Sequence, residues 1–165
     1  MKKMLIVYYT WSNGNTERIA SQLQRAVGAD LERIEMVHPY EGSYDEVVAQ
    51  GQREVNSGFM PDIKTLQHDP ADYEVIAVGT PTWWYTMAPA VKTFLADHDF
   101  SGKKVILFQT HGGWPGHTLK NMEKACKGAA AGPSLAVQFD SSGGSKLMTA
   151  EKDIDAWIRD VKQFL

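Results

Sequence analysis

The sequence predicts an α/β fold: a doubly wound five-stranded parallel sheet, strand order 2-1-3-4-5, with helices on both faces. Three observations predict it. Apolar runs of strand length recur at residues 4–9, 73–79 and 104–109, each nearly continuous, as strands covered on both faces require. Amphipathic stretches of helical period separate these runs, which implies right-handed crossovers between parallel strands. A polar loop, Thr10-Trp11-Ser12-Asn13-Gly14-Asn15-Thr16, stands directly between the first run and the first helical stretch.

Taken in order, the first strand is Met4-Leu5-Ile6-Val7-Tyr8-Tyr9, and the first helix shows Ile19, Leu23, Ala26 and Val27 on one face. Residues 31–37 mix charges with apolar side chains and suit an edge strand. A weaker helical stripe follows at Tyr44, Val47, Val48 and Val55, interrupted by Gly51. The third and fourth strands are residues 73–79 and 104–109. Between them Pro89 suits a first helical turn ahead of Val91, Phe94 and Leu95. Leu119, Met122 and Cys126 mark a fourth helix that Gly128 stops. Residues 135–139 form a short last strand at the other edge. Ile154, Trp157, Ile158, Val161 and Leu165 mark a fifth helix capped by Thr149. The mixed second and fifth strands flank the apolar first, third and fourth, hence the order 2-1-3-4-5.

Size and charge narrow the function. The 165 residues fit one domain, residues 1–165, with 43% hydrophobic and 22% charged side chains. A net charge of −3 argues against a nucleic-acid partner. The start Met1-Lys2-Lys3 has the charge of a signal peptide, but the apolar run behind it is too short for one. No window approaches the roughly 20 apolar residues of a membrane span. The single Cys126 leaves no internal disulfide and no cysteine-based zinc site, and its apolar stripe makes it a structural thiol. Cys126 is no phosphatase nucleophile, because Gly132 stands where Cys-x5-Arg needs arginine. A soluble cytoplasmic protein is expected.

The loop at residues 10–16 carries hydroxyls, amides and a glycine, and no cation. At a helix N-terminus such neutral donors suit a phosphate monoester. Without Gly-Lys-Ser/Thr it is not a nucleotide-triphosphate loop, and without further glycines it is not a dinucleotide fingerprint. In a doubly wound sheet this loop falls at the switch point, where ligands bind beyond the carboxyl ends of the strands. Two more loops reach that edge: Thr80-Pro81-Thr82-Trp83-Trp84-Tyr85-Thr86-Met87-Ala88 and Thr110-His111-Gly112-Gly113-Trp114-Pro115-Gly116-His117. Consecutive aromatics are costly to expose, and a planar ring would cover them. Gly112-Gly113 lets backbone approach a flat ring. A phosphate at one end and a ring at the other describe flavin mononucleotide.

On these residues the chain resembles the flavodoxin-like family of FMN proteins. That family holds the FMN phosphate in a Thr/Ser-x-Thr-Gly-x-Thr loop after strand one, and the isoalloxazine in loops after strands three and four. Asn13-Gly14-Asn15-Thr16 matches the second half of the motif, and Thr10-Trp11-Ser12 the first half with one residue inserted before Gly14. Thr80-Pro81-Thr82 resembles the corresponding loop of flavodoxin-like NAD(P)H:quinone reductases. The resemblance implies non-covalent FMN with Thr10, Ser12, Asn13, Gly14, Asn15 and Thr16 on the phosphate. It places Pro81, Thr82, Trp83, Trp84, Tyr85, Thr110, His111, Gly112 and Gly113 around the ring. His111, in what could also be a tight turn, is a candidate proton donor to flavin or substrate by its own chemistry.

Two departures bear on chemistry. One-electron carriers of that family usually have a glycine after strand three whose peptide reverses to meet the reduced flavin; residues 80–88 contain none. Such carriers are also strongly acidic, and −3 steers weakly. Both favour a two-electron reductase of quinones or similar small acceptors, with NAD(P)H as donor. The alternatives are a one-electron carrier serving a redox partner protein and an FMN-binding protein without turnover. Exposed Trp84 and Trp114 allow a homodimer. A response-regulator receiver is excluded because strand one ends in Thr10-Trp11 and strand three in Gly79-Thr80, where acidic residues are needed. An α/β hydrolase is excluded by the lack of a Gly-x-Ser-x-Gly elbow. His38, His68, His98 and His117 show no metal-ligand spacing.

Overall fold

Period-2 alternation along each strand deals its side chains to two helical layers. In the computed structural model, which describes residues 2–165, β1 (Lys2–Tyr8) points Leu5 and Val7 to one face and Met4, Ile6 and Tyr8 to the other. The second of these faces packs against α1 (Asn15–Val27) and α5 (Glu151–Phe164), through Ile19, Leu23, Ile154, Trp157 and Val161. The first packs against α3 (Pro89–Asp97) and α4 (Thr118–Ala125), through Val91, Phe94 and Met122 and through Cys126, which caps the end of α4. Burial raises the Cys126 thiol pKa to about 11, which leaves it a packing group.

The remaining elements are β2 (Asp30–Arg33), α2 (Tyr44–Ser57), β3 (Tyr73–Trp83), β4 (Thr86–Met87), β5 (Lys104–His111), β6 (Ala130–Ala131) and β7 (Leu135–Gln138). The sheet runs β2-β1-β3-β5, and β6 and β7 share the last edge. Lys104 and Val105 pair with β6, and the stretch from Phe108 to His111 pairs with β7, all in parallel. This is the expected doubly wound order with the fifth position split into two short strands.

Four local expectations are corrected. The edge strand expected at residues 31–37 stops at Arg33. Its continuation turns to pair antiparallel with residues 62–64, through Val37 N to Asp62 O (3.0 Å) and Lys64 N to Glu35 O (2.7 Å). The third strand does not end at Gly79 but runs on to Trp83 and folds back as a hairpin with β4. Gly51 does not interrupt α2's buried face. It belongs to it, because a Cβ there would lie 3.0 Å from the Trp83 ring, so the missing side chain seats the indole. Thr149 does not cap α5: its Oγ1 accepts from Gln138 N at 2.7 Å, and Ala150 takes the cap position without a side-chain bond.

Candidate functional site

The carboxyl ends of β1, β3, β5 and β7 meet at one edge, and the loops behind them enclose a cleft of about 290 Å³. The first wall is residues 10–16. Gly14 caps α1 in the left-handed region (φ 72°), and Ser12 also sits at positive φ (69°). No side chain caps this helix, so its terminal N–H groups remain available to an anion. Thr16 is buried, and its hydroxyl lies 2.8 Å from that of Thr110, tying the start of α1 to the end of β5.

A second wall is the β3–β4 hairpin. Its two turn residues, Trp84 (φ 49°) and Tyr85 (φ 69°), adopt the left-handed pair that a two-residue hairpin turn needs, without the usual glycine or asparagine. For bulky side chains this costs on the order of 1–3 kcal/mol each. Tertiary contacts hold it. Trp84 Nε1 donates to Val48 O (3.1 Å), His117 N donates to Tyr85 O (3.1 Å), and Ala88 N donates to Thr80 Oγ1 (3.0 Å). Gly116 lies under the turn so closely that a Cβ would come within 2.2 Å of Tyr85 O. Behind the turn, Trp83 meets Tyr9 and Trp11 edge-on, with centroids 6.2 and 6.0 Å apart, and Trp11 stacks on Tyr44 at 5.7 Å.

The third wall is the end of β5. Thr110 O accepts from Thr82 Oγ1 (3.0 Å), and Gln109 Nε2 donates to Thr82 Oγ1 (2.8 Å), joining the second and third walls. Gly113 N donates to His111 Nδ1 at 2.9 Å, so the ring's proton is on Nε2. Burial lowers the His111 pKa below the ordinary histidine value of 6.5.

Of the residues singled out from the sequence, the cleft brings together Thr10, Ser12, Asn13, Asn15, Thr16, Pro81, Thr82, Trp83, Trp84, Thr110, His111 and Gly112. Gly14, Tyr85 and Gly113 are outside its lining: Gly14 faces a polar recess behind the first loop, and Tyr85 a neighbouring hollow. Sequence reasoning missed a fourth wall, made of Phe139, Asp140, Gly143 and Gly144. The signal was present in Ser141-Ser142-Gly143-Gly144, which follows a strand ending at the same edge. Asp140 organises that loop by accepting from the backbone of Ser142, Gly144 and Lys146 and from the Ser142 hydroxyl. The Ser142 hydroxyl, with the backbone donors, lowers its pKa to about 2. The first wall grips the fourth: Asn13 Nδ2 donates to Gly143 O, and Asn15 Nδ2 donates to Gly144 O at 3.0 Å. Tyr44, Val47 and Val48 of α2 complete the rim and were also missed, because their helical stripe reads simply as core.

Comparison with known proteins agrees with this fold. The family model for flavodoxin matches residues 3–158. A candidate flavoprotein from Bacteroides eggerthii is 27% identical, with 96% of this chain and 97% of that one covered and a TM-score of 0.75. A flavoprotein from Lactobacillus acidophilus, solved in complex with FMN, is 20% identical over 95% of this chain and 99% of that one, at a TM-score of 0.69. A flavodoxin from the domain Archaea shares the fold at 19% identity over 94% of this chain and 92% of that one, with a TM-score of 0.57. No curated protein matches the chain. Among the described residues, no helix is long and apolar enough to cross a membrane. With its family match over most of its length, and its four loops gathered at the carboxyl edge of a doubly wound sheet, the chain belongs to the flavodoxin family.

Proposed function

We propose that this protein binds FMN non-covalently in the cleft and works in the cytoplasm as an NAD(P)H-dependent two-electron reductase of quinones or similar small acceptors. One observation carries the reading. The cleft's lining combines an uncapped helix N-terminus and uncharged donors with the aromatic side chains Trp11, Tyr44, Trp83 and Trp84. The donor set fits a phosphate monoester: hydroxyls of Thr10, Ser12 and Thr16, amides of Asn13 and Asn15, and the backbone after Gly14. Asp140 is the one acidic group in the lining, and its charge is already shared among four donors. Pro81, Thr82, Trp83 and Trp84 line the cleft beside residues 110–112, with Pro81 paired to Thr110 in the sheet, and we assign the ring to this part of it. The FMN complex of the Lactobacillus acidophilus flavoprotein, which shares the fold, supports the same cofactor here.

When bound, FMN supplies two-electron chemistry: uptake of a hydride from NAD(P)H together with a proton, and return of both electrons with two protons to a quinone, giving the hydroquinone. The chain's own residues bind, orient and exclude water. His111 keeps its proton on Nε2 and can donate a hydrogen bond from there into the ring end of the cleft. The hairpin favours two-electron over one-electron transfer. No glycine lies between Thr80 and Ala88, and the peptides around Tyr85 are held by His117 and packed on Gly116. A peptide reversal there would break those contacts.

Titrating the purified chain with FMN tests the reading. Flavin fluorescence should be quenched with a dissociation constant on the order of micromolar or below, as for a cofactor held by several convergent donors. The loaded protein should then oxidise NAD(P)H with a quinone as acceptor, and its reductive titration should show no accumulating paramagnetic signal. Absence of quenching at micromolar FMN would sink the central claim. A stable paramagnetic species, reduced only through a partner reductase, would make the protein a one-electron carrier instead.

A further inference from the structure

A separate cavity of about 270 Å³ lies between the end of α2, β4, α3 and α4, and it shares no lining residue with the cleft. Val55, Phe59, Met87, Pro89 and Ala125 give it a largely apolar surface. Phe59 is the telling member. The helix α2 closes on Gly58 in the left-handed region (φ 70°), with Gly58 N donating to Val55 O (3.2 Å) and Phe59 N to Glu54 O (2.9 Å). After such a closure, the apolar residue that follows the glycine ordinarily packs on the last turn of its own helix. Here the residues it would meet are Arg53 and Glu54, both charged, and Phe59 stays 48% exposed. Its ring lines the cavity instead.

The polar groups define what would fit. Glu54 belongs to the lining, but its carboxylate is engaged elsewhere: Oε1 accepts from Tyr40 OH (2.7 Å) and Oε2 from Gln50 Nε2 (2.8 Å), and neither partner lines the cavity. Lys92 of α3 and Lys124 of α4 also line it. Both are exposed, and among the described residues neither has a carboxylate within ion-pair distance. A Cβ on Gly58 would lie 3.5 Å from Lys92 Nζ, which places that ammonium at the α2 end of the cavity, where it also offsets the helix dipole. Thr86 Oγ1 accepts from Asn121 Nδ2 (2.8 Å) and keeps its own proton to give. An apolar body would take Phe59 out of water, and an anionic end would meet two ammonium groups and a hydroxyl.

We propose that this cavity binds a small amphipathic acid, a flat or alkyl body bearing one carboxylate. The body lies against Phe59 and Met87, and the carboxylate lies beside Lys92 and Lys124. The site goes beyond the FMN reading and does not depend on it, because the two sets of residues are disjoint.

The test titrates cinnamate and the uncharged cinnamyl alcohol into the chain with FMN present, following the methyl NMR signals of Val55, Met87 and Ala125. Those signals should shift and saturate, with a dissociation constant for cinnamate of about 1 mM or below. The alcohol should bind about fivefold more weakly, a modest margin because the lysines are exposed. In the double variant Lys92→Gln, Lys124→Gln, which changes only exposed side chains, the acid should lose its advantage to within about twofold, and the alcohol should bind as before. Phe59→Ala should weaken both ligands about fivefold. No saturable shift up to about 10 mM cinnamate would remove the site. Equal binding of acid and alcohol to wild type, or an advantage for the acid that survives in the double variant, would overturn the proposal. Shifts confined to residues around the cleft would place the acid there and overturn it too. Should FMN fail to bind, the cofactor reading falls, and the same titration of the chain without FMN still decides this one.

Discussion

His111 shows how one side chain couples the site to pH. Its Nδ1 accepts from Gly113 N, and burial disfavours the charged ring, so both act to keep the imidazole neutral. The folded pKa therefore lies below 6.5, the ordinary value that the unfolded chain would show. Below pH 6.5 the unfolded state takes up the proton first, so stability falls with falling pH until the folded ring is also protonated. Above 6.5 both states are neutral and the contribution is complete. An NMR titration should place the His111 midpoint below 6.5. In His111→Gln, unfolding free energy should depend less steeply on pH in the window just below 6.5. A midpoint at or above 6.5 would contradict the tautomer and the burial together. Thr16 shows the same economy: its hydroxyl, paired with that of Thr110 at 2.8 Å, ties the first turn of α1 to the end of β5.

At the scale of elements, the β3–β4 hairpin depends on α2. Glycine inside an exposed helix ordinarily costs about 0.5–1 kcal/mol relative to alanine, so replacing Gly51 would help an isolated α2. Here a methyl would already stand 3.0 Å from the Trp83 ring, and leucine would drive further into it. Overpacking of that kind costs about 1–3 kcal/mol, so Gly51→Leu should lower the urea midpoint and displace Trp83 from the cleft wall. Unchanged or greater stability would show that the indole is free to move. The hairpin also shows why the sequence was partly silent. Pro81 and the run of aromatics suggested a loop, and no Asn-Gly pair advertised a tight turn. Val48, Gly116 and His117 fix the conformation, and they are remote from Trp84 and Tyr85 in sequence. β2 was misread beyond Arg33 for a related reason: its continuation pairs with residues 62–64, a partner that local pattern does not announce.

For the whole molecule, the legible part was the sheet, because β1, β3 and β5 are apolar on both faces and their order follows from that. The sheet order in turn assigns three loops to one edge without reference to any distance. The loop at 140–144 escaped because its polar, glycine-rich residues read as a plain connection, although β7 delivers it to the same edge. A site assembled from residues 10–16, 81–84, 110–112 and 139–144 exists only in the folded chain, so its ligand should bind that state alone. Free ligand at about one hundred times its dissociation constant then stabilises by about 2.7 kcal/mol. For a chain of this size that corresponds to a rise in Tm of about 5–10 °C. FMN should produce this shift. Riboflavin, which has the same ring and no phosphate, should produce a much smaller one at equal concentration. The difference measures the hydroxyls, amides and helix N-terminus around Gly14, separately from the aromatic walls. Equal shifts from the two compounds would mean that the ring alone is recognised, and that residues 10–16 hold no phosphate.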